Sequence, residues 1–253
     1  SRGLGDVYKR QVLLILTHTS LFQTVYNVPL SCDSCVQSVT KAVKQLGDID
    51  SVKGDIEKNR VSIVGSVAPS KIVEAIQSTG RDAIIRGTGK PNSAAVSILE
   101  SFAPGDKPAP VKGLARFVAI SPTKALVDLT MTGVEKGTYY PGIRASGNLT
   151  DGALSTGKVL YKLPPINVTE KDLESCNGGY KGNSFVQLPL DISDIVGRSF
   201  VISKDPEKTF VDSLCGVVAR SAGAWENDKY VCNCTGKTIW QERVDAHQRG
   251  ITH

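Results

Sequence analysis

The sequence predicts an α+β unit followed by an all-β unit, and three observations carry that prediction. Between Phe22 and Arg86, four short β-prone runs alternate with two stretches whose apolar residues recur at helical spacing. After about Phe102 no long helical stripe occurs, and short alternating runs are punctuated by Gly, Pro, Asn and Asp. Two close cysteine pairs stand near opposite ends, Cys32-x-x-Cys35 and Cys232-x-Cys234.

The elements follow in order. Phe22–Val28 is the first strand, and Pro29-Leu30 leads into the first cysteine pair. Val36, Val39, Val43 and Leu46 then form one stripe of a helix. Val52 and Ile56 precede a polar turn at Glu57–Arg60, and Val61, Ile63 and Gly65 resume two-residue alternation. Pro69 suits the first turn of a second helix bearing Ile72, Val73 and Ile76, and Gly80 suits its C-terminal stop. Ala83–Ile85 supply the fourth strand. Two helices on one face of a four-stranded antiparallel sheet, βαββαβ, is the ferredoxin-like arrangement.

Gly87–Pro91 reads as a linker or turn. Beyond it, Gly113–Ile120, Phe185–Leu190, Ser199–Ser203 and Cys215–Arg220 read as strands of a sandwich or barrel. Val127, Leu129 and Met131 alternate with Asp128, Thr130 and Thr132, the pattern of a half-buried strand. Ala222–His253 is too short for a core of its own, and Trp225 and Trp240 are expected to anchor it or, less commonly, to meet a partner surface. The division predicted is 21–88, 89–221 and 222–253, after a leader at 1–20. Within that leader, Ser1–Gln11 reads as translated adapter sequence and is excluded from fold reasoning. Val12–Leu16 is shorter than a signal-peptide core.

The 253 residues carry a formal charge of +5, with no basic helix or aromatic–basic platform, which argues against nucleic acid as a partner. No apolar run is long enough for stable insertion in a bilayer. Asn-x-Ser/Thr tripeptides begin at Asn148, Asn167 and Asn233, yet two vicinal dithiols fit a reducing compartment better, so a cytoplasmic location is expected.

Thiolates are soft ligands for Cu(I), zinc and iron–sulfur clusters, and they also exchange with disulfides. Neither pair has further Cys or His nearby to complete a structural zinc site. Cys32 falls in a loop and Cys35 at a helix start, where amide groups and the helix dipole stabilise a thiolate. Leu30 can pack beneath that loop, and Arg81 can offset the charge of a dithiolate complex. On the motif alone, a zinc half-site, a redox pair and a soft-metal carrier all remain open.

Leu30-Ser31-Cys32-Asp33-Ser34-Cys35, opening the first helix of a βαββαβ unit, resembles the heavy-metal-associated domain of copper chaperones, although Leu30 stands where that family usually has Met. Gly197–Ile202, Cys215–Ala219 and the loop Gly147–Gly157 resemble the Greek-key β-barrel of copper/zinc superoxide dismutase. At the dismutase ligand positions this chain has Gly142, Arg144, Val159 and Ser203, and its histidines, His18, His247 and His253, lie outside the β segment. The resemblance therefore implies no dismutase activity and no enzyme. Ala153 stands where the enzyme's disulfide partner is expected, so Cys215 is read as a small buried residue unless the fold brings Cys176 near.

Ala219–Gly223, Val231–Gly236 and Ile239–Arg243 resemble the C-terminal region of the copper chaperones for superoxide dismutase, fungal type. That resemblance implies Cu(I) acquired by Cys32 and Cys35, a heterodimer with copper/zinc superoxide dismutase through the strand around Cys215–Arg220, and copper or disulfide transfer by Cys232 and Cys234. It also admits the mitochondrial intermembrane space beside the cytoplasm. The alternative is a thiol–disulfide oxidoreductase with incidental metal binding, and the sequence identifies no copper donor.

Overall fold

A computed structural model describes residues 21–107, 110–172, 178–232 and 234–248. The readings made for the 1–20 leader, including His18, and for Cys176, Asn233 and His253 lie outside the described residues. The first unit runs β1 (Phe22–Asn27), α1 (Asp33–Lys44), β2 (Ile49–Asp55), β3 (Arg60–Gly65), α2 (Pro69–Gln77) and β4 (Ile84–Thr88). Its antiparallel sheet has the order β2-β3-β1-β4, the ferredoxin-like arrangement expected. Val39 and Val43 of α1 and Ile72 and Ile76 of α2 share one core with Tyr26 and Ile63 of the sheet.

Helix ends follow local chemistry. Asp33 lies in the first turn of α1 and Lys41 and Lys44 in its last, each favourably placed against the helix dipole. The chain then turns through Gly47 at φ 75° and Asp48 at φ 49°. Leu46 therefore falls beyond the helix and is exposed, instead of continuing the stripe.

The second unit contains β5 (Ala94–Glu100), β6 (Val111–Ser121), β7 (Lys124–Val134), β8 (Gly137–Arg144), β9 (Val159–Lys162), β10 (Ile166–Val168), β11 (Glu170–Lys171), β12 (Tyr180–Leu188), α3 (Ile192–Ile195), β13 (Ser199–Ser203), β14 (Leu214–Val217) and β15 (Ala219–Ser221). These pair along the antiparallel path β10-β8-β13-β14-β5-β6-β7-β12-β11, with β9 joined to β8 and β15 to β5. The hydrogen-bonded path has two ends among the described residues, and the sheet folds over one core, in keeping with the dismutase-like β-barrel type expected. A Cβ on Gly182 of β12 would come within 2.7 Å of Val168 on β10, so the two end regions pack together without pairing. Inside, Phe117 and Phe200 meet edge to face with ring centroids 5.4 Å apart.

Two features join the units, and neither follows from periodicity. Ala68, the N-cap of α2, has no side chain able to cap. Asp128 of β7 supplies the acceptor from the other sheet: Ser70 N donates to its Oδ2 at 2.8 Å and Ser70 Oγ to its Oδ1 at 2.6 Å. Arg116 of β6 faces the same carboxylate at 3.8 Å. Asp128 and Thr130 are accordingly buried, where the alternation had predicted a solvated face.

The second feature occupies the start of the predicted linker or turn, which begins as strand at Gly87 and turns only after Thr88. Strand β4 continues to Thr88, whose N–H donates to Ala222 O at 3.1 Å, while Ala224 N donates to Gly89 O at 2.8 Å. A Cβ on Gly87 would lie 2.0 Å from Gly223 O, so only glycine permits this approach. The last described element is α4 (Ile239–Gln248), which buries no residue.

Candidate metal centre

The Cys32–Cys35 loop is held from below and from both sides. Asn59, at φ 49° in the β2–β3 turn, accepts Val28 N on its carbonyl at 2.9 Å and Leu30 N on its Oδ1 at 2.8 Å. Leu30 is buried in the core beneath the loop, as its position predicts. Cys32 is the extended N-cap of α1, and its carbonyl accepts from Cys35 N at 3.0 Å. This places Cys32 exposed at the rim and Cys35 buried in the first helical turn.

The sulfurs stand 3.5 Å apart, well beyond a disulfide bond, and both thiols are free. Ser31 Oγ lies 3.3 Å from Cys35 Sγ and Ser34 Oγ 2.9 Å from Cys32 Sγ. The Ser31 side chain and backbone, then the Arg81 guanidinium and Cys32, bring the Cys35 thiol down to about 6. Arg81 is fixed by a hydrogen bond from Nη1 to Thr79 O at 3.0 Å. Pro29, Leu30, Ser31, Cys35, Asn59 and Arg81 line one open pocket. Ser31, Ser34 and Asn59 were not singled out from the sequence as functional; the available signals were the hydroxyls flanking each cysteine and an Asn in a tight turn.

The pH dependence follows from the sign of this shift. Cys35 is depressed below its ordinary value of 9.0, so its thiolate persists down to about pH 6 and protonates below that. Its contribution to folding is complete above pH 9.0 and is lost as pH falls through about 6. Thiolate ultraviolet absorbance of the metal-free chain, compared with a Cys35→Ser variant, should show a titration near pH 6. A difference spectrum that titrates near 9 would contradict the assignment.

Cys232 and Cys234 occupy the end of a short hairpin closed by the Val231–Thr238 bridge. Cys232 N donates to Lys237 O, and Gly236 N to Cys232 O, both at 2.8 Å. Cys232 is half-buried, Cys234 exposed, and both are free. Hydrogen bonding from Thr235 and then from the Cys234 backbone lowers the Cys232 thiol, and Thr235 Oγ1 also donates to Glu242. No group of three or more His, Cys, Asp or Glu side chains converges as a metal site among the described residues. The two cysteine pairs are therefore separate dithiol sites.

Cys215 is different in kind. It is fully buried in a cluster with Ala153 and Val201, which puts Ala153 in the same small core as Cys215, consistent with the resemblance. Burial and then the Glu100 carboxylate push its thiol up to about 12, so it stays protonated. Gly142, Arg144, Val159 and Ser203 also come together, around a void of about 30 Å³, room for little more than water. Arg144 donates to the Gly157 carbonyl at 2.8 Å and Ser203 Oγ to the Lys208 carbonyl at 2.6 Å, committing both to backbone partners. In the tail, Trp240 and His247 are half-buried, whereas Trp225 is 49% exposed.

A free dithiol in a loop on a ferredoxin-like sheet, with a second free dithiol on a hairpin, is a layout suited to a soft metal ion or to disulfide exchange, and the profile of the heavy-metal-associated domain matches residues 25–82. The chain is 52% identical over 247 residues to the superoxide dismutase 1 copper chaperone of Debaryomyces hansenii, covering 92% of this chain and 99% of that one. It is 47% identical over 236 residues to the protein of that name from Kluyveromyces lactis, covering 91% and 96% respectively. Against that of Saccharomyces cerevisiae it is 43% identical over 250 residues, covering 93% and 100%. The chain belongs to the superoxide dismutase 1 copper chaperone family.

Proposed function

We propose that this protein carries Cu(I) on Cys32 and Cys35, delivers it to copper/zinc superoxide dismutase, and helps form the client's disulfide by exchange from a Cys232–Cys234 disulfide, the tail pair returning to two thiols as the client's two thiols are oxidised. The observation that carries the reading is the pair of free sulfurs 3.5 Å apart at the start of α1, with Cys35 favoured as thiolate. Two thiolates match a soft monovalent ion, and stepwise ligand exchange passes it on without release to water.

In this reading residues 21–88 carry the ion, 89–221 dock the client and 222–253 act on it. Exposed Ile98 on β5 and Val217 on β14, with Phe102 and Leu154 in nearby loops, offer the apolar surface a dismutase subunit would cover. This supports docking around the strand segment Cys215–Arg220. No helix among the described residues is long and apolar enough to cross a membrane. The reading assigns the work to the cytoplasm and the mitochondrial intermembrane space.

The test mixes Cu(I)-loaded chain with copper-free, disulfide-reduced dismutase and follows client disulfide and activity. The parent should activate the client, and the chain alone should show no appreciable dismutation. Changing Cys232 and Cys234 together to Ser should abolish activation while the Cys32–Cys35 ion remains bound. Equal activation by that variant at limiting copper would reduce the tail to a passive anchor. Disulfide formation in the client that never depended on Cu(I) would favour an oxidoreductase instead.

A further inference from the structure

Two parts of the tail grip the two loops that frame the Cys32–Cys35 pocket. On one side, Tyr230 Oη donates to Lys58 O at 3.0 Å, and the Arg60 and Arg86 guanidinium carbons lie 5.4 and 6.0 Å from its ring centroid. Asp228 accepts from Arg60 at 2.6 Å, and Arg86 donates to the Asn227 carbonyl at 3.0 Å. The turn so held contains Asn59, which pins Leu30. On the other side, Arg243 of α4 reaches Asp82 through Nε at 3.1 Å and Nη2 at 3.3 Å. Asp82 adjoins Arg81, whose side chain lines the same pocket as Cys35.

We propose that docking of the tail onto these two loops and Cu(I) binding at Cys32–Cys35 are thermodynamically coupled, the docked tail raising the affinity of the site. This rests on the carrier reading above and adds its regulation. Two states are built into the contacts. The tail is held by hydrogen bonds, ion pairs and cation–π contacts, while α4 buries no residue and Asp228 is 73% exposed. Such contacts are individually weak and release locally without global unfolding.

Release alters the pocket from both sides. Without Arg243, the Asp82 carboxylate loses a guanidinium partner and becomes a competitor for its neighbour Arg81. A shift of Arg81 toward Asp82 withdraws positive charge from the dithiolate, whose Cu(I) complex is a net anion. Without Tyr230, the turn carrying Asn59 loses a brace, and the segment entering the cysteine loop is less fixed. Both changes penalise the loaded state more than the empty one. Reciprocity then requires the ion to tighten the tail, so unloading frees the hairpin bearing Cys232 and Cys234.

The experiment uses the full chain with Cys232→Ser and Cys234→Ser, so that only the first pair binds, and Cu(I) affinity is read by competition with a Cu(I) chelator. Arg243→Ala with Tyr230→Ala should weaken binding about fivefold to tenfold, at the lower end of ordinary allosteric coupling. Arg243→Lys, which keeps a cation against Asp82, should restore most of its share. Tyr230→Phe, removing only the hydroxyl, should give a smaller loss and serves if the double variant folds poorly. In parallel, amide exchange across residues 227–248 should slow on Cu(I) loading by a similar factor. Affinity within about twofold of the parent, with exchange showing the tail released, overturns the coupling alone. A parent chain that binds no Cu(I) overturns the carrier reading together with it.

Discussion

Asp128→Ala should destabilise the junction between the two sheets by about 3–5 kcal/mol, the range for removing one member of a buried ion pair. Asp128 is 3% exposed and does two things at once: it caps α2 through Ser70 and faces the Arg116 guanidinium. Alanine leaves two Ser70 donors unmet and a desolvated cation without its carboxylate. Because two units are joined here, the loss should first show as accelerated amide exchange at the start of α2, and then as a lower denaturation midpoint. Asp128→Ala combined with Arg116→Leu should recover part of it, since the orphaned charge is gone. An alanine variant within about 0.5 kcal/mol of the parent would mean that the contact is incidental.

Cys32→Ser with Cys35→Ser should empty the first site altogether, a loss far beyond the roughly 10–100-fold that outer-shell changes cost. The fold should survive, because Cys32 is exposed and Cys35 occupies only the first turn of α1. Ser31→Ala, which removes the hydroxyl 3.3 Å from Cys35 Sγ, should fall within that outer-shell range instead. X-ray absorption of the loaded parent, with the tail cysteines changed to Ser, should show sulfur neighbours. A nitrogen or oxygen shell would rule the site out.

Periodicity and turn chemistry were enough to read the first unit almost element by element, because each helix there buries one stripe against one sheet. They failed where a second unit covers what would otherwise be solvent. Asp128 and Thr130 read as the wet face of a strand, yet both are buried, Asp128 against the start of α2, and nothing local to β7 encodes what will pack on it. Gly87 read as the start of a linker or turn for a related reason: its glycine is required by Gly223, far along the chain. Leu46 was an over-extension of a true stripe past Lys44, where the Gly47–Asp48 turn ends it.

The candidate site divided in the same way. Cys35, Leu30 and Arg81 were legible because their roles depend on position within one βαββαβ unit. The hydroxyls of Ser31 and Ser34 and the brace from Asn59 depend on side-chain directions that spacing does not reveal. The Tyr230 and Arg243 contacts connect segments too distant for any local pattern to predict.

That distance also fixes an order of events during synthesis. Arg60 and Asp228 are 168 residues apart in the chain, and translation at about 5–20 residues per second separates their emergence by roughly ten to thirty seconds. Once β4 (Ile84–Thr88) has followed, the cysteine loop exists on the ribosome for the rest of that interval with its sheet complete and its distant brace not yet made. A newly born copy therefore passes through a loosely held form of the pocket before any mature copy does, and an ion donor acting during translation would meet that form first.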